Sequence, residues 1–215
     1  MLKHLLANYC RRVYFGDEKT PIPPGVYHPS ILCLSCARAQ YNYYTNFSNK
    51  SVEEIPDEIV LLLAGGVFVH RLIQSLKVDK KSIWSGVEVP CSYELTAPDG
   101  STITIRGRAD AILGRGVERR VYEFKHVRSI PYKPHFNHLL QLNFYLGALG
   151  IAQGVLCYIG YSPYGGIDIK EFNFSFSTWH FEHLLNRAIT LHTLITNKTP
   201  PRCSCRDKIH EIQIL

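Results

Sequence analysis

Two short apolar segments in the middle of the chain carry charged residues where a buried strand usually has none. Segment 107–113 (GRADAIL) contains Asp110, and segment 121–125 (VYEFK) contains Glu123 and Lys125. Residues two apart on a strand point to the same face, so Glu123 and Lys125 are predicted neighbours. Charged side chains are rarely buried for stability alone, because their desolvation is costly. We therefore predict that these strands cross the core and bring three charged groups into one site.

Two carboxylates beside a lysine suit metal-assisted chemistry. Carboxylate oxygens are the ligands that Mg²⁺ and Mn²⁺ take in proteins, and a lysine can orient or deprotonate a water or neutralise charge on a phosphate. An ion pair on the surface of a sheet is the alternative, but the apolar neighbours Tyr122 and Phe124 favour burial. His70 lies on a predicted helix and would shift the preference toward Mn²⁺ as a ligand. A single histidine on an apolar helix is, however, more often structural.

The periodicity of the remaining chain predicts helices first and strands afterwards. Helices are predicted over 31–44, 57–76, 138–149 and 178–196. Strands are predicted over 86–95, 102–113, 120–127, 155–161 and 167–174. This order predicts an α+β fold with a mixed, mostly antiparallel sheet flanked by helices. Gly65 and Gly66 together cost a helix about 2 kcal/mol relative to alanine, so we expect another element to pack very close to them.

The length fits either one large domain or a core domain with a small cap, and we treat the chain as a single domain. The 215 residues are 46% hydrophobic and 20% charged, which supports a substantial core and excludes a disordered protein. Within the single domain, 1–215, we distinguish an N-terminal helical part (30–82), a core (83–175) and a C-terminal helix with a cysteine tail (176–215). The net charge of +6 permits a polyanionic partner without requiring one.

The sequence predicts a cytoplasmic protein without a membrane partner. No segment reads as a signal peptide. The run 139–161 has no charged residue and is long enough to cross a bilayer. Three glycines interrupt it, at positions 147, 150 and 154, so we interpret it as a buried helix followed by a buried strand.

Four of the seven cysteines form two close pairs, Cys33 with Cys36 and Cys203 with Cys205. Without a secretory signal, such pairs favour a metal site over disulfides. Cys33 and Cys36 lie three apart on a predicted helix, so their sulfurs can converge. Zinc and iron–sulfur clusters both take four thiolates, and unlinked thiols remain the alternative. A shared site would tie the two ends of the chain together.

Taken in order, the motifs resemble those of a known superfamily. Gly66-x-x-x-His70, Gly107-x-x-Asp110, Glu123-x-Lys125 and Gln141-x-x-x-Tyr145 together resemble the RecB-type nucleases of the PD-(D/E)XK superfamily. The surroundings of Cys36 and the C-terminal cysteines are similar to those of CRISPR-associated RecB-like exonucleases that carry an iron–sulfur cluster. The resemblance extends from about residue 30 to residue 205. It departs from that family in having two N-terminal and two C-terminal cysteines instead of one and three.

The resemblance implies a metal centre and a cluster. Mn²⁺ or Mg²⁺ would be bound by His70, Asp110, Glu123 and the backbone carbonyl of Phe124, with Asp110, Glu123 and Lys125 as the catalytic residues. The iron–sulfur cluster, either 4Fe–4S or 2Fe–2S, would be held by Cys33, Cys36, Cys203 and Cys205. It would join the N- and C-terminal segments. We expect a structural role for it, since hydrolysis needs no electron.

The implied function is that of a metal-dependent exonuclease acting on single-stranded DNA ends during CRISPR spacer acquisition. CRISPR adaptation integrase proteins would be its partners, and the oligomeric state stays open, a homo-oligomer included. Gln141 and Tyr145 would hold the DNA backbone or the lysine, while Arg128 and Lys133 would contact phosphates. Two alternatives remain: a RecB-type nuclease of recombination or repair, and a non-catalytic DNA-binding subunit with an iron–sulfur or zinc site.

Overall fold

A six-stranded mixed sheet with helices on both faces forms the centre of the protein. The computed structural model describes residues 2–15, 22–45, 55–161 and 165–203. The helices are α1 (Leu2–Phe15), α2 (Pro29–Leu32), α3 (Ala37–Thr45), α4 (Asp57–Gln74), α5 (Phe136–Leu149) and α6 (Thr178–Thr196). The strands are β1 (Val26–Tyr27), β2 (Lys77–Val78), β3 (Lys81–Ser82), β4 (Trp84–Thr96), β5 (Thr102–Leu113), β6 (Arg120–His126), β7 (Gln153–Tyr161) and β8 (Ile167–Ser175).

The predicted α+β class with a mostly antiparallel sheet is confirmed. The strand order is β1-β5-β6-β7-β8, with β4 paired to β5 as well, and β2 and β3 form a separate hairpin. Within the six-stranded sheet, three pairings are antiparallel, and two, β1 with β5 and β6 with β7, are parallel. Helix α5 lies in the connection between β6 and β7, as parallel neighbours require a long crossover. The site residues on β5 and β6 therefore lie in the middle of the sheet.

The two faces of the sheet pack against different helices. On one face, Leu140, Phe144 and Leu184 of α5 and α6 belong to the largest buried cluster. On the other face, Val69 and Ile73 of α4 pack against a smaller cluster that includes β6 residues. Fully burying a leucine or phenylalanine side chain contributes roughly 1.5–3 kcal/mol. The two cores thus fix α4 and α5 on opposite sides of β6.

The uncharged run 139–161 forms a helix and a strand, as the sequence predicted. Helix α5 ends at Gly150, whose φ of 62° is left-handed and closes the helix, and β7 follows. Among the described residues, no helix combines the length and apolar character needed to span a bilayer.

The helix predicted over 31–44 is divided in two. Helix α2 ends at Leu32, and α3 begins at Ala37. Cys33 and Cys36 therefore lie in the turn between two helices and not on one helix face. Helix α1 and strand β1 were not predicted from the sequence periodicity.

The expected close contact at Gly65 and Gly66 is absent. A methyl group added at Gly65 would meet no atom within 4 Å, and one at Gly66 would meet only the His126 Cβ, at 3.9 Å. The close approach occurs at Gly107, where an added Cβ would lie 2.9 Å from the Pro29 Cγ and 3.0 Å from the Tyr145 Cε1. Gly107 is thus the glycine that packing near the site requires.

Candidate active site

The predicted site residues lie beside a break in the pairing of β5. One edge of β5 pairs with β4 along nearly its whole length. The other edge pairs with β1 at residues 104–105 and with β6 at residues 111–113. Between these two pairings, residues 106–110 have no strand on that edge within the described part of the chain. We call this stretch the β5 gap.

Asp110 closes the gap toward β6 with its side chain. Its Oδ2 accepts a hydrogen bond of 2.7 Å from the backbone N–H of Phe124, so the carboxylate takes the place of a strand partner. Its Oδ1 lies 3.6 Å from the Nδ1 of His70 on α4. Burial alone would lower the pKa of His70, but the Asp110 carboxylate outweighs burial and raises it. Asp110 therefore links the two strands to α4.

Glu123 and Lys125 form a buried ion pair on β6. The Lys125 Nζ lies 2.8 Å from the Glu123 Oε1, and Glu123 is 2% exposed. Burial and the nearby Asp110 charge raise the pKa of Glu123 to about 7, although Lys125 opposes the shift. Burial would lower the pKa of Lys125, yet the adjacent Glu123 charge raises it overall. The Lys125 ammonium is therefore favoured at neutral pH.

A chain of hydrogen bonds runs from Lys125 into α5. The Lys125 Nζ donates to the Gln141 Oε1 over 2.9 Å, and the Gln141 Nε2 donates to the Tyr145 hydroxyl over 3.0 Å. Gln141 and Tyr145 are one helical turn apart and both are buried, so they face the lysine together. Gln141 contacts the lysine directly, and Tyr145 reaches it only through Gln141; the expected contact of this pair with DNA stays a prediction. The Tyr145 ring needs the space that Gly107 leaves open.

The residues fit a divalent cation in one specific respect. Glu123 Oε2 is buried and has no hydrogen-bond partner among the described residues, and it belongs to a side chain whose pKa is raised by the Asp110 charge. A buried carboxylate oxygen without a partner is costly, and a cation would satisfy it. The described residues nevertheless hold no group of three or more His, Cys, Asp or Glu side chains already arranged as a metal cage.

Two further polar residues near Asp110 were missed from the sequence. The Gln74 Nε2 donates both to the Asp110 carbonyl, over 3.0 Å, and to the Glu88 Oε1, over 2.8 Å. Glu88 has a φ of 49° and lies between the β4 partners of Ala109 and Ala111, so the ladder is distorted opposite Asp110. The only available signal was that Gln74 follows His70 by one helical turn.

The basic residues predicted to contact DNA lie outside this buried network. Arg128 and Lys133 are exposed in the segment between β6 and α5, which directly follows Lys125. In the same segment, the His135 backbone N–H donates to the Tyr158 hydroxyl over 3.0 Å, and that hydroxyl lies 2.9 Å from the His138 Nδ1. Burial and the Lys125 charge lower the pKa of His138 to about 3. Nothing in the structure tests the phosphate contacts of Arg128 and Lys133, which stay predictions.

Two of the four predicted cluster cysteines lie close together. The sulfurs of Cys36 and Cys203 are 3.9 Å apart, although the residues are far apart in sequence. Cys205 lies outside the described residues. Cys33 packs in the largest core cluster, and burial raises the pKa of its thiol to about 12. The structure therefore brings Cys36 and Cys203 together and keeps Cys33 among apolar neighbours.

The fold and the site together define an α+β protein with a buried carboxylate–lysine site at a gap in a mixed sheet. No protein-family model matches the chain, and no curated protein matches it. Among solved structures, the crystal structure of SSO0001 is 22% identical, with a TM-score of 0.63, and the match covers 89% of this chain and 87% of that chain. The structure of LHK-Exo in complex with dAMP is 10% identical, with a TM-score of 0.42, and the match covers 82% and 90%. The first likeness shows a shared fold, and the second is too distant to assign an activity.

Proposed function

We propose that the protein is a metal-dependent nuclease that hydrolyses phosphodiester bonds in single-stranded DNA from its ends. The observation that supports this most is the buried Glu123, which keeps one oxygen without a partner beside Asp110 and Lys125. Carboxylate oxygens and an adjacent lysine are what phosphate hydrolysis needs, because charge develops on the phosphate as the bond breaks. The non-catalytic alternative has no comparable use for this arrangement.

The residues of the carboxylate–lysine site would have different roles in this reaction. Asp110, Glu123, His70 and the Phe124 carbonyl would hold Mn²⁺ or Mg²⁺, which would supply a Lewis acid and lower the pKa of a bound water. Lys125 contributes a positive charge toward a phosphate, and Gln141 and Tyr145 keep its Nζ in place. Phe124 fixes Asp110 through its backbone N–H.

The cysteines support a narrower proposal. The surroundings of Cys36 and the C-terminal cysteines resemble those of the CRISPR-associated RecB-like exonucleases, and we propose a role in CRISPR spacer acquisition together with the adaptation integrase proteins. A nuclease of recombination or repair would carry the same site with different partners. We expect the purified protein to co-elute with an adaptation integrase in size-exclusion chromatography. It should not co-elute with an unrelated integrase.

We also propose an iron–sulfur cluster at the Cys36–Cys203 pair, with Cys205 as a further ligand and Cys33 as the fourth candidate. The separation of 3.9 Å between two sulfurs supports a shared ligand at this position. The cluster would be structural and would tie the C-terminal tail to the turn before α3. An anaerobically purified protein that lacks the absorption of thiolate-ligated iron would contradict it.

The decisive experiment uses end-labelled single-stranded DNA with Mn²⁺, Mg²⁺ or EDTA, and compares the wild type with Lys125→Ala. Lys81→Ala, an exposed lysine on the β2–β3 hairpin, is the matched control. We expect metal-dependent degradation that Lys125→Ala abolishes and Lys81→Ala retains. Intact DNA in every metal, with binding preserved, would instead identify a non-catalytic DNA-binding protein.

A further inference from the structure

A cleft of about 640 Å³ opens at the β5 gap, on the side of β1. Its volume falls within the range of roughly 300–1,000 Å³ that ligand sites occupy. Residues 28–30, 90–92 and 106–108 form its walls, and Tyr145 lines it from α5. We call it the arginine cleft, after Arg106 and Arg108.

The arginine cleft is positively charged. Arg106 and Arg108 are two apart on β5 and therefore share a face, and both are exposed. Within the described part of the chain, no acidic residue lines the cleft. Among the described residues, no carboxylate lies within ion-pair distance of either guanidinium. A guanidinium without a carboxylate partner is well suited to a phosphate, which it can bind through two parallel hydrogen bonds.

Hydroxyl groups and backbone add to this character. Ser30 and Ser92 are exposed on the two walls that flank the arginines, and serine hydroxyls commonly donate to phosphate oxygens. The His28 Nδ1 donates a hydrogen bond of 3.1 Å to the Arg106 carbonyl. The cleft therefore presents one free acceptor fewer that would repel an anion. The lining thus offers donors and positive charge.

The cleft shares a wall with the carboxylate–lysine site. Tyr145 lines the cleft, and its hydroxyl is two hydrogen bonds away from the Lys125 Nζ. Gly107, also in the wall, lies three residues before Asp110 on the same strand. The arginine cleft and the carboxylate–lysine site therefore lie side by side.

We propose that the arginine cleft binds the backbone of single-stranded DNA, with Arg106 and Arg108 on the phosphates next to the one that is cleaved. This inference rests on the proposed nuclease function and adds the path of the strand to it. A flexible single strand can bend into a cleft with walls on several sides, whereas a stiff duplex cannot follow it. The arginine cleft thus predicts a single-stranded substrate. It also predicts where the nucleotides next to the cleaved phosphate lie.

The test is a charge reversal, Arg106→Glu with Arg108→Glu. The control is Arg115→Glu with Arg120→Glu, which changes the net charge equally on exposed arginines outside the cleft. Binding of a fluorescein-labelled oligothymidylate is measured in EDTA by fluorescence anisotropy over a series of salt concentrations. We expect the cleft variant to bind at least about tenfold more weakly, which corresponds to about 1.4 kcal/mol. Its log–log salt slope should fall by about 1.4, because each lost single-strand phosphate contact accounts for about 0.7.

The outcomes separate this inference from the proposed function. Equal binding by the cleft variant and the control would overturn the cleft while leaving metal-dependent cleavage by the wild type untouched. If the wild type does not cleave DNA, but binding is lost only in the cleft variant, the proposed nuclease function is overturned. The proposal that the cleft binds single-stranded DNA would then stand. Arg106→Gln and Arg108→Gln as single variants, checked by circular dichroism, provide the same comparison if the double reversal does not fold. A duplex that competes as well as the single strand would overturn the proposed substrate form.

Discussion

The carboxylate–lysine site and the Cys36–Cys203 pair are held together by different means. Asp110, Glu123 and Lys125 lie on neighbouring strands, and hydrogen bonds to the backbone and to α5 fix them. The two cysteines are 167 residues apart and meet through the packing of distant segments. Cys36 is fully buried and Cys203 is exposed. Strand register therefore determines the first site, whereas the second depends on where the end of the chain docks.

The comparison predicts that a conservative change in the strand-based site will have the largest effect. In Glu123→Gln, the side chain keeps its shape but loses the charge that a divalent cation needs. We expect metal-dependent cleavage to fall by at least about a hundredfold. Isothermal titration with Mn²⁺ should show weaker binding independently of activity.

Glu118→Gln is the matched control, since Glu118 is exposed in the turn between β5 and β6. If Glu123→Gln bound Mn²⁺ as tightly as the wild type does, Glu123 would not be a metal ligand.

The cysteine pair is expected to respond through stability rather than through chemistry. Cys36→Ser and Cys203→Ala should each lose the visible absorption of a cluster and lower the melting temperature, because bound metal contributes to folding. Cys33→Ser should keep the absorption if Cys33 is only a core thiol, as its apolar surroundings favour. Absorption spectra of the three variants, purified without oxygen, decide whether two or three of these thiols are ligands.

A third experiment tests the packing that supports the strand-based site. Gly107→Ala would place a Cβ about 3 Å from Pro29 and Tyr145, and overpacking of this kind costs roughly 1–3 kcal/mol. Gly65→Ala meets no atom within 4 Å and should stabilise α4 by up to about 1 kcal/mol. Urea denaturation measures both free energies of unfolding. Equal effects of the two changes would show that Tyr145 does not depend on Gly107.

Tyr145→Phe removes only the hydroxyl that accepts from Gln141. A hydrogen bond of this kind contributes about 0.5–1.5 kcal/mol, so kcat should fall between about twofold and tenfold. The KM should change little, because Tyr145 acts through Gln141 on Lys125. Tyr93→Phe, on the exposed part of β4, is the control. A change confined to KM would instead indicate that Tyr145 contacts the substrate.

At neutral pH the smallest effect is expected from His138, whose pKa is lowered to about 3 by burial and by Lys125. In the unfolded chain its pKa is about 6.5, so unfolding takes up a proton below that pH. The folded state is therefore favoured above about pH 6.5 and loses this contribution as the pH falls toward 3. The slope must stay under about 1.4 kcal/mol per pH unit, the limit for one proton. His138→Gln should flatten the dependence of stability on pH over this interval, measured by urea denaturation at several pH values.

The sequence predicted those parts of the site that depend on a short, regular spacing. Glu123 and Lys125 are two apart on one strand, and Gln141 and Tyr145 are four apart on one helix, so their faces follow from the periods of the two elements. The charged residues in an apolar strand correctly indicated burial.

The remaining features depend on distant packing. Gln74 and Glu88 meet because the end of α4 reaches β4, which no local pattern records. The expected contact at Gly65 and Gly66 was wrong because a glycine that costs helix stability does not by itself reveal a neighbour. The division of the predicted helix at Cys33–Cys36 follows from tertiary contacts: the Arg187 Nη1 of α6 donates to the Leu32 carbonyl, and Gln40 donates to the Leu32 and Leu34 carbonyls.

The β5 gap also has a consequence for how the protein meets other copies of itself. An uncovered strand edge is a template onto which a foreign strand can add, and such additions lead to aggregation. Here the carbonyls of Arg106 and Asp110 at the two ends of the gap are occupied by His28 and Gln74. Arg106 and Arg108 place like charges on the same stretch, which would oppose an identical strand. Both features protect the β5 gap from β-addition.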